Sequence, residues 1–254
     1  MLALERHRRL VSFVNARGSL RTAEVAAELG VTEETVRRDF EKLECEGALV
    51  RTHGGALRIE AGRGESPLGE RMAQNVGAKT RIARAALAHL RDGSVVFFDS
   101  STTVLQLAAL LPPEKRVTVL TNSLPTAMAL LEKPGVAVHM LGGQVGGSSF
   151  SCTGRAAWLG LELLRLDAAF FSCRGIHPAH GLSEASEDHA TLKSHVIHRA
   201  DSAILLADHS KTTMHANHYF AQLAEIDLWI TDQEPDSSVL EAANRSGARW
   251  EAAL

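Results

Sequence analysis

The sequence predicts an α/β protein that has a small helical domain in front of its parallel sheet. Six short apolar runs without polar alternation predict the sheet, because strands of this kind are buried on both faces and covered by helices. Helical patterns follow most of these runs. Residues 20–39 predict the front domain, since they combine a helix, a tight turn and a second helix. A chain of 254 residues is long enough for both domains.

Composition excludes several classes of protein. Hydrophobic residues make up 45% and charged residues 22%, as in ordinary globular proteins. The net charge of −3 gives no global basic field, so any attraction for nucleic acid must be local. Cys45, Cys152 and Cys173 are odd in number and far apart, which favours a reducing compartment. The sequence has no apolar run of membrane-spanning length and no signal-peptide segment, so we expect a cytoplasmic protein without membrane contact.

The first domain is predicted to begin with a helix over residues 5–16, followed by the two helices of residues 20–39. Between these two helices, Gly30 suits a left-handed C-terminal cap. Thr32 suits the N-cap of the later helix, where Glu33 and Glu34 favour the first turn. The apolar seam of the earlier helix is predicted at Ala23, Ala26, Ala27 and Leu29, and that of the later helix at Val36, Phe40 and Leu43.

Two helices that meet at a steep angle across a short turn form a helix-turn-helix, whose second helix can enter a major groove of DNA. The spacing leaves Thr35, Arg38 and Lys42 on the side away from the seam, with Arg37 on its flank. Asp39 is expected to orient a neighbouring arginine. The alternative is a plain helical hairpin with solvated arginines. The turn residues, the apolar seam and the exposed pair of arginines all fall within residues 20–39, and this combination favours DNA binding.

A hairpin is predicted directly after the recognition helix, which is expected to end at Gly47. Gly-Gly separates two short apolar strands there, and a hairpin in this place is a wing. Arg51 and His53 lie near its tip, within reach of DNA phosphates or the minor groove. For His53 an ordinary surface position is an equal alternative. The full set predicted to contact DNA is Thr22, Thr32, Thr35, Arg37, Arg38, Lys42, Arg51 and His53.

An interdomain linker is predicted after the wing. Residues 60–70 are rich in glycine, glutamate and proline and have no periodicity. The expected limits are 1–58 for the winged helix-turn-helix domain with its motif at 20–39, 59–76 for the linker, and 77–254 for the second domain.

The second domain repeats a strand-then-helix unit. Strands are predicted at 94–99, 117–121, 136–141, 168–172, 203–208 and 226–232. Helices are predicted at 79–90, 103–111, 123–131, 156–164, 188–199 and 237–246.

Hydroxyl residues, acids and glycines stand at the carboxyl ends of these strands, which converge on one crevice in an open α/β sheet. Such residues let backbone N–H groups approach an anion, and the helix that starts near Thr103 adds a favourable dipole. Lys211 can supply a positive charge, with Lys79, Arg174 and Lys193 as helpers. The simplest guest is a phosphorylated small molecule, although any one loop taken alone is equally an ordinary helix N-cap. GGQVGG does not match a dinucleotide spacing, so no cofactor is expected.

The chain resembles transcriptional regulators of the DeoR family over nearly all of its length. The first domain contains TVRRDFEKLECEGALVRTHGGA, and the second contains FFDSSTT, TNS, LGGQV, DAAFFSCRGI, GLSEAS, LADHSK and ITD in the family's order. The resemblance implies a winged-helix DNA-binding domain joined to a sensor domain with the fold of ribose-5-phosphate isomerase. It also implies sugar phosphates or related metabolites as effectors, and homo-oligomers that bind repeated sites in a double-stranded DNA operator.

By position, the resemblance assigns a pocket to Asp99, Ser100, Ser101, Thr102, Thr103, Asn122, Gly142, Gly143, Gly175, Lys193, Asp208 and Lys211. The chain departs from the family pattern at Ser101, at Cys173-Arg174 and at Thr212-Thr213, which leaves the effector's identity open.

Two other functions remain possible on the sequence. A sugar-phosphate isomerase needs a base against its substrate, and the available carboxylates are Glu184, Glu187, Asp99 and Asp208. Such an enzyme would not need the helix-turn-helix. A metal-responsive regulator would use the histidines, among which His195 and His198 are one helical turn apart. Eight histidines fall in this region: His177, His180, His189, His195, His198, His209, His215 and His218. Because no cysteine or acid completes a recognisable ligand set, no metal is expected. The chain is predicted to be a DNA-binding regulator of carbohydrate metabolism, with repression as the favoured mode, and not an enzyme.

Overall fold

A computed structural model describes residues 3–45, 48–52, 54–57, 66–163 and 165–253. The chain separates into two compact units, Met1–Pro67 and Leu68–Leu254. Each unit has buried hydrophobic clusters of its own, one in the first unit and two in the second. Among the described residues, no helix is long and apolar enough to cross a membrane.

The first unit is a winged helix-turn-helix, as predicted. Its helices are α1 (Ala3–Arg17), α2 (Thr22–Leu29) and α3 (Glu33–Cys45), and its strands are β1 (Ser19–Arg21), β2 (Val50–Thr52) and β3 (Gly55–Leu57). Gly30 caps α2 with φ 64° and ψ 38°, the left-handed conformation expected there. The Thr35 amide donates to Thr32 Oγ1 at 3.2 Å, which confirms Thr32 as the cap of α3. The predicted end of this helix at Gly47 lies outside the described residues.

The wing has one more strand than the sequence predicted. β2 and β3 form the expected antiparallel hairpin, and β1 pairs with the other edge of β3. Leu20 and Arg21 were expected in the helix, but they belong to this strand. A Cβ on Gly55 would lie 1.8 Å from the Leu20 carbonyl oxygen, so only glycine permits this close approach of β1 and β3.

The apolar seam of α2 also differs from the prediction. Val25 and Ala26 are buried and Leu29 packs against the same cluster, whereas Ala23 and Ala27 are exposed. The helix starts at Thr22, and the buried positions follow it at three, four and seven residues, the spacing of one helical face. The seam of α3 is as predicted, with Val36, Phe40 and Leu43 all buried.

The second unit is a three-layer α/β structure. Its helices are α4 (Leu68–Ala73), α5 (Val76–Ala86), α6 (Thr102–Leu110), α7 (Leu124–Leu131), α8 (Arg155–Leu159), α9 (Glu187–Arg199) and α10 (Ser237–Ser246). Its strands are β4 (Val95–Phe98), β5 (Val117–Thr121), β6 (Val136–Met140), β7 (Gln144–Gly146), β8 (Ser151–Thr153), β9 (Ala168–Phe171), β10 (Gly175–His177), β11 (Gly181–Glu184), β12 (Ala203–Leu206), β13 (His218–Ala221), β14 (Leu228–Thr231) and β15 (Arg249–Ala252).

The central sheet has seven parallel strands in the order β15-β14-β12-β9-β4-β5-β6. One buried cluster contains Phe98, Phe170 and side chains of α5 and α6, and the other contains Phe97, Phe171 and side chains of α9 and α10. Alternate residues of the central strands therefore enter opposite layers, as their unbroken apolar pattern predicted. β6 is the exception, because it is an edge strand and much of it is exposed.

Several smaller elements were not predicted. β15 pairs parallel with β14 at the other edge of the sheet. β7 and β8 form an antiparallel hairpin, and β10, β11 and β13 form a separate antiparallel sheet. The expected linker at 59–76 is also shorter than predicted, since its second half forms α4 and α5 already begins at Val76. Leu68 at the start of α4 is buried, and its amide donates to the Ser148 carbonyl at 2.9 Å.

Candidate functional sites

The outer face of α3 presents two arginines held by glutamates one turn earlier. Arg37 Nη2 lies 3.0 Å from Glu33 Oε2, and Arg38 Nε lies 3.2 Å from Glu34 Oε1. The Arg38 side chain is 77% exposed. Exposed pairs with this spacing contribute about 0.3–0.5 kcal/mol, so DNA phosphates or base edges can replace the glutamates at small cost.

Asp39 points to the opposite side and fastens α1 to α3. Its carboxylate accepts from Arg6 Nε, from Arg6 Nη2 at 3.0 Å and from His7 Nε2 at 2.9 Å. Burial acts to raise the pKa of Asp39, but the bonds from Arg6 and then His7 outweigh it and hold that pKa below its ordinary value. The predicted arginine partner is therefore Arg6, which the sequence did not single out because it lies 33 residues away.

The other residues predicted to contact DNA differ in their burial and in their hydrogen-bond partners. Thr22 is buried and its hydroxyl donates to the Gly54 carbonyl at 3.1 Å, so it has a structural role at the base of the wing. Thr32 and Thr35 share a hydroxyl–hydroxyl contact of 2.9 Å at the start of α3. Lys42 is exposed. The Arg51 amide donates to Glu44 Oε1 at 2.9 Å, which ties the wing to α3, and His53 lies outside the described residues.

The crevice of the second unit forms where the strand order reverses. β5 and β6 lie on one side of β4, while β9, β12, β14 and β15 lie on the other. The loops after β4 and β9 therefore diverge, and ligands of open α/β sheets bind at such a point. Asp99 joins the two loops, because its carboxylate accepts from the Ser101 amide at 2.9 Å and from the Ser172 amide at 3.0 Å. Ser101 Oγ caps α6 through the Val104 amide.

A buried ion triad supports this junction. Lys193 Nζ lies 3.0 Å from Asp99 Oδ2, donates to Glu184 Oε1, and donates to the Ser172 carbonyl at 2.7 Å. Burial acts to lower the pKa of Lys193, but Asp99 and Glu184 outweigh it and raise that pKa above 10.5. Lys193 was expected to help bind an anion. The structure engages its ammonium inside the protein, where it holds Asp99 in place.

A second group of cations lies where α5 meets the loop after β12. Lys79 is 5% exposed, and its ammonium donates to the Arg71 carbonyl at the end of α4. Burial first and the charge of Lys211 second lower the pKa of Lys79 to about 8, with Arg71 acting in the same direction and Asp208 opposing it. The positive charges of Lys211 and Arg71 therefore both lie within electrostatic range of Lys79.

Asp208 is the acid in this group. Its Oδ1 accepts from Asn75 Nδ2 at 2.9 Å, from the Ser210 amide at 3.0 Å and from the Ser210 hydroxyl. Burial acts to raise the pKa of Asp208, but Ser210 and Lys211 lower it below the ordinary value. Its Oδ2 is buried and has no hydrogen-bond partner among the described residues. A buried carboxylate oxygen of this kind is costly unless a donor reaches it.

The remaining predicted pocket residues surround these groups. Ser100 Oγ lies 3.4 Å from His189 Nδ1, whose Nε2 lies 3.3 Å from Ser151 Oγ. Thr102 Oγ1 contacts the Arg71 carbonyl at 3.5 Å. Thr103 and Gly175 are buried, and Arg174 is half-buried.

Asn122 and the glycine pair lie toward the β6 edge. Asn122 Nδ2 donates to the Cys152 carbonyl at 3.1 Å, and its buried Oδ1 has no partner among the described residues. Gly142 and Gly143 follow β6, two strands from β4, or about 10 Å across the sheet. They therefore lie farther from the switch point than the other predicted residues.

Several contributors were missed by sequence reasoning. Glu184 had been considered only as an enzyme's base, and His189 only as a metal ligand. Asn75 and the Arg71 carbonyl gave no signal, because a single residue between helices and a backbone group have no periodicity.

Three of the eight histidines contact one another, since His177 stacks on His180 with ring centroids 4.5 Å apart and meets His215 edge-on at 6.4 Å. Others have separate partners. His195 stacks on Trp158 with ring centroids 4.7 Å apart, and His198 Nε2 lies 3.3 Å from Glu225 Oε1. His209 Nδ1 lies 2.8 Å from Asp232 Oδ2. Within the described ranges, no group of three or more histidine, cysteine, aspartate or glutamate side chains could hold a metal ion.

A winged helix-turn-helix with exposed arginines, followed by an α/β unit with a cationic crevice, defines a DNA-binding regulator with a separate ligand-sensing domain. A family model described as the DeoR C-terminal sensor domain matches residues 74–233, and one described as a DeoR-like helix-turn-helix domain matches residues 6–61. The chain belongs to the DeoR family of transcriptional regulators.

Individual relatives agree with this membership. The uncharacterized HTH-type transcriptional regulator YulB of Bacillus subtilis is 38% identical over 242 residues, covering 95% of this chain and 93% of the relative. The lactose phosphotransferase system repressor of Staphylococcus aureus is 31% identical over 242 residues, covering 93% and 96%. Among solved structures, ribose 5-phosphate isomerase A from Methanocaldococcus jannaschii is similar with a TM-score of 0.42 and 16% identity, covering 55% of each chain.

Proposed function

We propose that this regulator controls genes of carbohydrate metabolism, and that a phosphorylated sugar or related metabolite in the crevice changes its affinity for an operator. The observation that carries the proposal is the cation group of Lys79, Lys211 and Arg71 beside the unpartnered Asp208 Oδ2. Burial first, and the charges of Lys211 and Arg71 in addition, lower the pKa of Lys79 at a cost in stability, and a bound dianion offsets the repulsion between these charges.

The acid among the cations favours a hydroxylated ligand over a bare anion. Asp208 Oδ2 needs a donor, and a sugar hydroxyl supplies one while the phosphate lies against the ammonium groups. A ligand without a hydroxyl gives this oxygen no donor, and a ligand without a phosphate brings no negative charge to the cations. The name of the lactose phosphotransferase system repressor points to the same class of metabolite.

On the DNA side, Thr35, Arg37, Arg38 and Lys42 of α3 enter the major groove, and Arg51 steadies the wing against the backbone. Two or more subunits, joined mainly through their sensor domains, present paired α3 helices to repeated half-sites. The ligand changes operator affinity by binding one arrangement of the subunits more tightly than the other.

A thermal-shift screen tests the ligand class, because a compound that binds the native state raises its melting temperature. We expect pentose, hexose and glycerol phosphates to include at least one stabiliser, and the matching unphosphorylated sugars to include none. The variant Lys211→Met should lose the shift. Lys133→Met, which removes a half-buried lysine near α6, should keep it. A shift by free sugars, or no shift by any phosphorylated compound, would contradict the proposal.

An isomerase is the less favoured function. Its base would have to be a carboxylate in the crevice, where Asp99 and Glu184 are both paired with Lys193. Asp208 is a poor base, because against the effect of burial Ser210 and Lys211 hold its pKa below the ordinary value. We expect the protein to leave pentose phosphates unchanged on incubation. Interconversion seen by NMR would restore the enzyme as a candidate.

A further inference from the structure

Side chains of the crevice donate hydrogen bonds to the C-terminal end of α4, the first helix of the second unit. α4 ends at Ala73, and the last carbonyl groups of a helix have no partner within it. The Arg71 carbonyl finds its donors in Lys79 Nζ and, at 3.5 Å, Thr102 Oγ1. Both donors are among the residues expected to hold the ligand. Lys79 therefore caps the end of α4 with the same ammonium that faces the anion site.

We propose that ligand binding releases α4, because an anion in the crevice takes the Lys79 ammonium from the Arg71 carbonyl and so uncaps the helix that follows the interdomain linker. This inference rests on the proposed function and names how the same site is regulated.

The exchange of acceptors favours the anion. A hydrogen bond from an ammonium to a phosphate oxygen joins two opposite charges, and this attraction is missing from the bond to a neutral carbonyl. The Lys79 ammonium is destabilised by its burial and by the nearby charges of Lys211 and Arg71. A dianion therefore gains more from this ammonium than a neutral carbonyl does. Thr102 alone, at the limit of hydrogen-bond distance, is a weak cap.

The chain turns between α4 and α5. Asn75 lies between them with φ 51° and ψ 36°, a left-handed conformation that few non-glycine residues adopt. Asn75 Nδ2 donates to Asp208 Oδ1 at 2.9 Å and to Ser210 Oγ at 3.3 Å, so this turn is hydrogen-bonded to two residues of the crevice. Residues 58–67 connect the wing to α4 in the sequence, so a displaced α4 changes the point from which the linker leaves the second unit.

Hydrogen exchange of the full chain, with and without inorganic phosphate at constant ionic strength, tests this release. We expect phosphate to slow the amides of the loop at residues 100–104 and, unusually for a binding site, to speed those of residues 70–75 roughly tenfold. Lys79→Met should show the fast α4 without phosphate. The matched control is Lys133→Met, since Lys133 Nζ likewise donates to a carbonyl near a helix end, that of Ala109 in α6 at 3.2 Å.

The outcomes separate the two proposals. A slowed loop with unchanged or slowed α4 overturns the release of α4 and leaves ligand binding intact. A loop that phosphate does not slow contradicts anion binding in the crevice, and the release falls with it. Fast α4 exchange in both lysine variants would show general loosening and would also overturn the inference. Should Lys79→Met fail to fold, the wild-type comparison with phosphate still decides.

Discussion

Replacing Lys193 by methionine removes the ammonium that lies between Asp99 and Glu184 while keeping most of the side-chain volume. The Lys193 side chain is 6% exposed and that of Asp99 is 1% exposed, so the carboxylate left behind is buried. Breaking a buried ion pair from one side typically costs about 3–5 kcal/mol. Asp99 keeps two backbone donors, and Glu184 at 16% exposure can turn toward water. These two effects place the expected loss near the lower end, at about 3 kcal/mol.

The tryptophans make this loss measurable in the second unit alone, because Trp158, Trp229 and Trp250 all belong to it. A loss of about 3 kcal/mol should lower the melting temperature seen by tryptophan fluorescence by roughly 6–12 °C. The raised pKa of Lys193 means that its stabilisation is present below pH 10.5 and disappears only as the pH rises through the folded-state value. The difference should therefore persist across neutral pH.

A matched control and a double variant sharpen the result. Arg165→Met removes an exposed pair with Asp201 and should cost no more than about 1 kcal/mol. Adding Asp99→Asn to Lys193→Met should recover part of the loss, since no buried charge is then left uncompensated at that position. Equal melting temperatures for Lys193→Met and Arg165→Met would refute the reasoning, as would strict additivity in the double variant.

Three further predictions concern the other sites. If Arg38 contacts guanine, Arg38→Ala should weaken operator binding by about 1–3 kcal/mol; if Arg38 contacts phosphate, the variant should mainly lower the salt dependence of binding. Arg165→Ala should change neither quantity. Unchanged binding by Arg38→Ala would count against α3 as the helix that reads the DNA. Asp39→Asn should destabilise the winged unit by about 3 kcal/mol, measured by circular dichroism, while the melting temperature seen by tryptophan fluorescence stays constant. Because the pKa of Asp39 is lowered in the folded state, the wild type should lose this stabilisation only as the pH falls below 3.8. An equal shift of the tryptophan melting temperature would contradict this. The pKa of Lys79 near 8 predicts that affinity for a phosphorylated ligand falls as the pH rises above 8, by up to about tenfold per unit, with proton uptake visible by calorimetry; affinity that is constant across this range would remove Lys79 from the site.

The fold was largely predictable because its signals are local. Each strand predicted for the central sheet is present, since a buried parallel strand is apolar without interruption and its pattern needs no knowledge of its neighbours. β15 was missed because Arg249–Ala252 alternates polar and apolar residues at a sheet edge. β1 was missed because a three-residue strand is too short to show a period, and its pairing is permitted by the absence of a side chain at Gly55.

The site was predictable in residue type and only partly in role. Hydroxyl and acidic residues at strand ends identified Asp99 and Asp208, because strand ends converge in every sheet of this kind. Lys79 and Lys193 were predicted to have the same role, but in the structure Lys79 lies near other cations and Lys193 lies between two carboxylates. That difference depends on contacts between residues far apart in the chain, which no spacing rule encodes. The same holds for Arg6, the partner of Asp39.

DNA binding by α3 and the wing, under the control of the crevice, can be measured directly. The experiment is a fluorescence anisotropy titration of DNA from upstream of the gene that encodes this chain, at several salt concentrations, with and without each sugar phosphate of the thermal-shift screen. We predict salt-sensitive binding, with an affinity that at least one stabilising compound changes by roughly 5–150-fold. The absence of salt-sensitive binding in every condition, liganded or not, would contradict the account.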